Sequence, residues 1–127
     1  MLNVVAAVIV RGGKFFICKR PAGKHLGGYW EFPGGKAEAG ETEEQALVRE
    51  CGEELGVTVR PAGLLGRYVY AYPEKEISLA LYFAEIVCGE IALKEHSAGL
   101  FVTAAESEKY AFCPADGAAL EKLRELL

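Results

Sequence analysis

The sequence has 127 residues, of which 51% are hydrophobic, 25% charged and 10% aromatic, and it carries a formal net charge of −4. A typical domain holds about 100–150 residues, so we expect one domain over residues 1–127, and the composition excludes disordered and low-complexity proteins. The acidic balance argues against a nucleic acid polymer as partner, because such binding relies on many Lys and Arg contacts to phosphates.

The N-terminal segment predicts a β-hairpin. β-Branched and aromatic residues fill 3–10 and 15–19, and the Gly12-Gly13 pair between them is typical of a tight turn. The unbroken apolar run 4–10 is far shorter than the roughly 18 residues of a membrane span, and no basic residue precedes it. We therefore expect neither a transmembrane helix nor a signal peptide, no membrane partner, and a cytoplasmic location.

A glycine-rich connection at 21–28 follows the hairpin and predicts a loop able to close over a ligand. Residues 29–32 then form a short segment dominated by aromatic side chains. Pro33-Gly34-Gly35 has the composition of a turn, so we expect a turn there.

Residues 43–55 predict an α-helix. The Thr42–Gln45 segment has the form of a capping box, and Gly56 is typical of a glycine that ends a helix. Apolar residues recur every four positions and predict one face packed on the core, formed by Leu47, Cys51 and Leu55. The acidic side chains of the helix are expected elsewhere on its surface, at Glu43, Glu44, Glu50, Glu53 and Glu54.

The C-terminal half supplies most of the predicted sheet. Segments rich in β-branched and aromatic residues predict strands at 57–60, 64–72, 77–87, 90–93 and 99–102, with a hairpin loop at 72–76. After Pro114, leucines at helical spacing predict a second helix over about 115–126. This order of strands and helices predicts a mixed α/β layered domain.

The cysteines and histidines show no spacing typical of a zinc site or a disulfide framework. No C-x-x-C pair occurs, and each cysteine lies in or beside an apolar segment. Buried free thiols are therefore expected at Cys18, Cys51, Cys88 and Cys113. His25 and His96 are expected to be loop residues.

Three glutamates of the predicted helix are candidates for metal binding. Glu50, Glu53 and Glu54 stand at i, i+3 and i+4, which places their carboxylates on one helix face. Like charges at this spacing destabilise an isolated helix by roughly 0.2–0.5 kcal/mol per pair, a cost that a bound cation would relieve. Oxygen ligands favour Mg²⁺ or Mn²⁺ over zinc. The triad alone leaves a metal site and an ordinary solvated acidic face equally open.

The residues around the triad resemble the Nudix box, G-x(5)-E-x(7)-R-E-U-x-E-E-x-G-U, in which U is aliphatic. All seven fixed letters are present, from Gly35 through Glu41 to the 49–57 segment. At average residue usage, a chance match in a chain of this length has a probability on the order of one in a million. The one departure is Cys51 at an aliphatic position, where a small buried hydrophobe fills the same role.

Further segments resemble the MutT branch of the Nudix hydrolases, namely C-K-R-P at 18–21, W-E-F-P-G-G-K at 30–36 and Q-A-L-V-R-E at 45–50. The resemblance covers nearly the whole chain. It implies an α/β/α sandwich with a mixed sheet between helices, and hydrolysis of nucleoside triphosphates to the monophosphate and pyrophosphate with Mg²⁺ or Mn²⁺. The implied role is to clear modified or surplus nucleotides, such as 8-oxo-dGTP or oxidised and methylated cytosine nucleotides.

The same resemblance implies roles at the metal end of the site. Glu50 would be a metal ligand or the base that activates water, Arg49 would orient Glu50, and Glu41 would support Arg49. Glu95 matches an additional metal-binding carboxylate, although a single loop glutamate is also typical of solvated surface. The implied metal-binding set is the backbone carbonyl of Gly35 with Glu50, Glu53, Glu54 and Glu95.

The resemblance also places Arg20, Phe32 and Asp116 around the base, with Lys36 and Arg20 as candidate phosphate or base contacts. Asp116 lies in a Pro-Ala-Asp segment that resembles the branch acting on CTP and modified cytosine nucleotides, whereas many 8-oxo-dGTP hydrolases have Asn there. An ionised Asp only accepts hydrogen bonds and favours N–H donors, which both cytosine and guanine offer. Capping the last helix is a second, compatible role for Asp116, and Lys36 equally fits an ordinary surface cation.

Three alternative functions stay open at this point. The chain could hydrolyse another nucleoside diphosphate derivative, such as a nucleotide sugar, although no long insertion supports that. It could be a nucleotide-binding Nudix module without turnover, against which the intact glutamates argue. It could be a structural domain with an incidental acidic helix, which predicts no effect of Mg²⁺ on thermal stability. Monomer and homodimer are both compatible with the sequence.

Overall fold

The computed structural model describes residues 1–127, which form seven strands and two α-helices. The strands are β1 Leu2–Arg11, β2 Lys14–Lys19, β3 Trp30–Glu31, β4 Gly34–Lys36, β5 Thr58–Tyr72, β6 Lys75–Cys88 and β7 Ala98–Val102. The helices are α1 Glu43–Leu55 and α2 Gly117–Leu126, and two short 3-10 turns lie at Glu106–Lys109 and Pro114–Asp116. Both α-helices are too short and too polar to cross a bilayer.

The strands form one mixed sheet with β1 near its centre. The order is β3-β2-β1-β6-β5, with β4 added beside β1 and β7 beside β2. β1 runs parallel to β6, and the other pairings are antiparallel. The predicted N-terminal hairpin is confirmed, and the positive φ angles of Gly12 and Gly13, 57° and 77°, explain the glycine pair in its turn.

The side chains of β1 alternate between two cores, one on each face of the sheet. Val5, Ala7 and Ile9 pack with the apolar face of α1. Ala6 and Val8 point to the opposite face and pack with α2. Because successive strand residues face opposite sides of the sheet, the central residues 5–9 of β1 are buried on both faces. The expected α/β/α sandwich with a mixed sheet is confirmed.

Helix α1 has the predicted bounds because local signals define both of its ends. The Thr42 side chain accepts from the Gln45 N–H, and the Gln45 side chain accepts from the Thr42 N–H. Gly56 ends the helix in the left-handed conformation at φ 70°. The predicted apolar face is fully buried at Leu47, Cys51 and Leu55.

The predicted turn at 33–35 is wrong, because Gly34 and Gly35 belong to strand β4. They pair with Ala6 and Val5 of β1. A side chain at Gly34 would collide with the Val5 carbonyl oxygen, so glycine is required by this close approach rather than by a turn.

The predicted strand at 90–93 is also wrong, because this segment is a loop. Its backbone bonds to the end of α1: the Ala92 N–H donates to the Leu55 carbonyl at 2.9 Å, and the Lys94 N–H donates to the Glu54 carbonyl at 3.1 Å. The segments 57–60 and 64–72 are one strand, β5, with register shifts between Pro61 and Gly66.

Three smaller expectations are corrected by the structure. The last helix begins at Gly117 rather than 115, because Pro114–Asp116 is a 3-10 turn. The loop between β5 and β6 is shorter than predicted, since Tyr72 already pairs with Lys75. The thiols of Cys18, Cys51 and Cys113 are buried and free, but Cys88 is exposed because it lies at the end of β6.

Candidate active site

A cavity of about 180 Å³ lies between β1, the hairpin of β5 and β6, and the 3-10 turn before α2. Gly34 and Gly35 of β4 and Glu54 of α1 line one end of the cavity, and the turn before α2 lines the other end. Five predicted site residues share this cavity: Arg20, Phe32, Gly35, Glu54 and Asp116.

The acidic end of the cavity contains a buried carboxylate. The sequence predicts Glu54 on the helix surface, but its side chain points inward and the residue is 9% exposed. Its Oε1 accepts from the Gly34 N–H at 3.1 Å, and burial raises its pKa to about 8. Nearby Glu50 and Glu95 raise this pKa further, and no basic side chain contacts the Glu54 carboxylate.

The geometry around Glu54 fits a divalent cation. A Cβ added to Gly35 would lie 2.5 Å from the Glu50 carboxylate. Strand β4 and helix α1 are therefore close enough for both to contact the same cation. A buried carboxylate without a basic partner is costly unless a cation compensates it. Carbonyl and carboxylate oxygens are the ligands that Mg²⁺ and Mn²⁺ prefer.

Arg49 organises the outer side of the acidic cluster. Its Nη1 donates to Glu50 Oε2 at 2.8 Å and to Glu53 Oε2 at 3.2 Å. Glu41 accepts from Nε and Nη2 of the same guanidinium at 2.7 and 3.0 Å, and this bidentate contact lowers the pKa of Glu41. The spatial order Glu41, Arg49, Glu50 is therefore the one that the resemblance implies, although the catalytic roles of these residues stay predictions.

Two further predicted residues lie near the acidic end. Glu95 is exposed in the loop after β6, and the preceding Lys94 N–H donates to the Glu54 carbonyl at 3.1 Å, which places this loop beside the end of α1. Lys36 is exposed and does not line the cavity. Its carbonyl instead accepts from Arg49 Nη2 at 3.0 Å, so its backbone rather than its ammonium group contacts the cluster.

Asp116 lies at the other end of the cavity and is 6% exposed. Burial raises its pKa well above the usual value, Glu31 raises it further, and Arg20 opposes this shift. The Asp116 side chain makes no capping hydrogen bond to α2, so the structure gives no support to the capping role. Phe32 is buried between the rings of Phe15 and Phe112, with centroids 5.9 and 5.8 Å away.

Sequence reasoning missed two side chains beside the cavity. Glu31 contacts Arg20 Nη1 through both carboxylate oxygens at 3.1 and 3.3 Å. His96, expected to be a simple loop residue, has a side chain only 3% exposed, with Nε2 lying 2.9 Å from Glu31 Oε2. The sequence offered one indication that Glu31 has a role, namely its position between Trp30 and Phe32, since charged residues are rare in apolar segments.

Comparison with known proteins gives concordant findings. The family model described as NUDIX domain matches residues 4–122. The chain is 37% identical to a CTP pyrophosphohydrolase of Escherichia coli K12, covering 99% of this chain and 93% of that protein. It is 36% identical to the 8-oxo-dGTP diphosphatase of the same strain, covering 96% of each chain.

Solved structures agree with these sequence relatives. The solution structure of the E. coli ORF135 protein superposes with a TM-score of 0.86 at 35% identity, covering 99% of this chain and 90% of that one. A MutT NUDIX hydrolase from Burkholderia pseudomallei superposes with a TM-score of 0.84 at 27% identity, covering 96% and 97% of the two chains.

Proposed function

The chain belongs to the Nudix family as a MutT-like hydrolase acting on phosphoric anhydrides, and we propose that its substrates are nucleoside triphosphates, cleaved to the monophosphate and pyrophosphate. The observation that carries this proposal is the cavity that has Glu54 at one end and Asp116 at the other. An acidic end suited to a cation complements phosphates, and an end lined by apolar side chains together with Arg20 and Asp116 complements a base.

Nudix hydrolases generally require a divalent metal ion, and we propose Mg²⁺ or Mn²⁺ here. The ligands would be the Gly35 carbonyl and the carboxylates of Glu50, Glu53, Glu54 and Glu95. When bound, such an ion neutralises phosphate oxygens and lowers the pKa of a coordinated water.

Glu50 is the best placed of these residues to accept a proton from the attacking water. Arg49 holds one of its carboxylate oxygens at 2.8 Å, which fixes the orientation of the group. Glu41 in turn holds the guanidinium through two hydrogen bonds, so Arg49 cannot swing toward the phosphates without losing both. A carboxylate fixed in this way is oriented in advance for general base catalysis.

Asp116 is the residue that we propose hydrogen-bonds the base, and Phe32 and Arg20 are the other proposed base contacts. A protonated carboxyl both donates and accepts, whereas an ionised carboxylate only accepts. The raised pKa of Asp116 favours the protonated form, which complements the adjacent N3 acceptor and N4 amino donor of cytosine. The same donor and acceptor pair also complements O6 and N7–H of 8-oxoguanine. Every base offers such a pair on some edge, so the choice between bases rests on the relatives, a CTP pyrophosphohydrolase and an 8-oxo-dGTP diphosphatase, which make cytosine and 8-oxoguanine nucleotides the two candidate substrates.

The test is pyrophosphate release with Mg²⁺ from 8-oxo-dGTP, dGTP, CTP, dCTP and 5-substituted dCTP, with a nucleotide sugar and a dinucleoside polyphosphate included. We expect turnover of triphosphates, with preference for either the cytosine or the 8-oxoguanine members. Glu53→Gln should abolish turnover, and Glu44→Gln, an exposed substitution on the same helix, should retain it. Selective hydrolysis of the sugar or dinucleoside substrate, or no turnover at all, would overturn the proposal.

A further inference from the structure

A partly buried contact between Glu31 and His96 links residues on two sides of the cavity. Glu31 of β3 binds Arg20 through both carboxylate oxygens, and its Oε2 also lies 2.9 Å from Nε2 of His96. Arg20 lines the cavity, while His96 directly follows Glu95 in the loop whose Lys94 N–H bonds to the Glu54 carbonyl. We propose that the Glu31–His96 contact is a positioning device that fixes Glu95 for the metal and Arg20 for the nucleotide at the same time.

The His96 ring depends on Glu31 for its orientation. The side chain is 3% exposed and does not line the cavity, so it is placed to act through its neighbours rather than on substrate. Its Nδ1 is buried without a hydrogen-bond partner, which leaves Nε2 as the only polar anchor of the ring. Because a carboxylate accepts hydrogen bonds, Nε2 carries the proton of this contact.

Glu31 is held in place by contacts to β2 and to Arg20. Its carbonyl accepts from the Cys18 thiol at 3.4 Å, and Cys18 is its register partner on β2. The Arg20 guanidinium that binds its carboxylate is further tied to the loop at 21–28, since Nε donates to the His25 carbonyl at 2.8 Å. Glu31 therefore gives His96 a fixed acceptor on the sheet.

The loop that carries Glu95 has few other restraints. The Lys94 N–H bonds to the Glu54 carbonyl before it, and the Ser97 N–H bonds to the Lys19 carbonyl after it, both at 3.1 Å. Between these two points the His96 side chain is the only buried anchor. The Lys94 N–H bond attaches this loop to the residue that carries the Glu54 carboxylate, so a movement of the loop beyond Lys94 changes the spacing between Glu95 and Glu54, two proposed ligands.

This inference rests on the proposed function and predicts two linked defects when the contact is lost. Movement of Glu95 should raise the Mg²⁺ concentration needed for half-maximal activity. Loss of the His96 contact also leaves the Glu31 side chain held by Arg20 alone, and this weaker restraint on Arg20 should raise KM. Loss of partners that orient metal ligands typically costs about 10–100-fold in metal affinity or activity. We expect about a tenfold increase in each constant.

The experiment compares His96→Asn with His96→Gln. The amide nitrogen of Gln reaches about the position of imidazole Nε2 and can donate to Glu31, whereas that of Asn is too short to do so. We expect His96→Asn to show both defects and His96→Gln to retain nearly the wild-type KM and Mg²⁺ requirement. Ser107→Ala is the matched control, because Ser107 is also buried and bonded to Arg124 but lies away from the cavity.

Ser107→Ala should lower the melting temperature without changing either constant. Equal kinetic constants for His96→Asn and His96→Gln would overturn the inference, as would a fall in melting temperature alone. If the wild-type protein hydrolyses no nucleoside triphosphate, the proposed function fails instead. The inference is then tested by Mn²⁺ titration calorimetry, where His96→Asn should bind about tenfold more weakly than His96→Gln, and equal affinities would overturn it.

Discussion

Among single residues, Glu54 has the largest influence on how the site responds to pH. Burial raises the pKa of its carboxyl to about 8 in the metal-free protein, while an unfolded glutamate titrates near 4.3. Between these two values the folded state binds more protons than the unfolded state. The free energy of unfolding therefore decreases as pH rises through this window.

We expect the free energy of unfolding of the metal-free protein to fall between about pH 5 and pH 8. Glu54 should contribute up to about 1.4 kcal/mol per pH unit to this fall. Glu54→Gln removes the titrating group, so its unfolding free energy should depend less on pH across this range. Urea unfolding in a chelating buffer at several pH values measures this. Glu44→Gln is the exposed control, and a Glu54→Gln slope equal to that of the control would show that Glu54 ionises normally.

Some residues of the site could be predicted from the sequence and others could not. Glu50, Glu53 and Glu54 could be grouped from their spacing because a helix places i, i+3 and i+4 together. The inward direction of Glu54 could not be predicted, since it depends on the position of β4. Glu31 and His96 are 65 residues apart, and no local pattern indicates a contact over that distance.

At the scale of elements, the accuracy of prediction follows the range of the interactions that define each element. Helix α1 is predictable to the residue because Thr42, Gln45 and Gly56 cap it locally. Strand β4 has the composition of a turn because its glycines are required by contact with β1, which is distant in sequence. The segment 90–93 has strand-like composition, yet its backbone bonds to the end of α1 instead.

Strand β4 gives a test at this scale. A Cβ at Gly34 would collide with the Val5 carbonyl and lie 2.7 Å from the Ala6 Cα, so Gly34→Ala must push β4 away from β1. We expect a loss of about 1–3 kcal/mol of stability, typical of overpacking, and loss of turnover because the Gly35 carbonyl moves with the strand.

Gly117→Ala is the matched control for this substitution. Gly117 has φ −57° at the start of α2, and an added Cβ there meets nothing within 4 Å. Alanine favours helix over glycine by about 1 kcal/mol, so this variant should be as stable as wild type or more stable. Urea unfolding and pyrophosphate release measure both variants. Wild-type behaviour of Gly34→Ala would contradict the close pairing of β4 with β1.

At the scale of the whole molecule, the site is assembled from distant parts of the chain. Arg20 follows β2, Gly35 lies in β4, Glu54 in α1 and Asp116 in the turn before α2. A ligand that bridges these parts binds only the folded state, so its binding energy adds directly to the stability of the fold.

Mg²⁺ should therefore stabilise the protein by about 2.7 kcal/mol at a hundredfold excess over its Kd. Glu53→Gln should lose most of this effect, while its own cost to the metal-free fold should stay within about 0.5 kcal/mol, because the Glu53 side chain is 58% exposed. Denaturant unfolding with and without Mg²⁺ tests this. Equal stabilisation of wild type, Glu53→Gln and Glu44→Gln would mean that the ion binds elsewhere.

The parallel pairing of β1 with β6 has a consequence for synthesis on the ribosome. Ile9 is the register partner of Ala84, 75 residues later in the chain. At translation rates of about 5–20 residues per second, the partner residues of β6 are synthesised roughly 4–15 s after β1. During that interval the apolar run at 4–10 lacks its parallel partner, so this segment of the nascent chain is a candidate for chaperone protection.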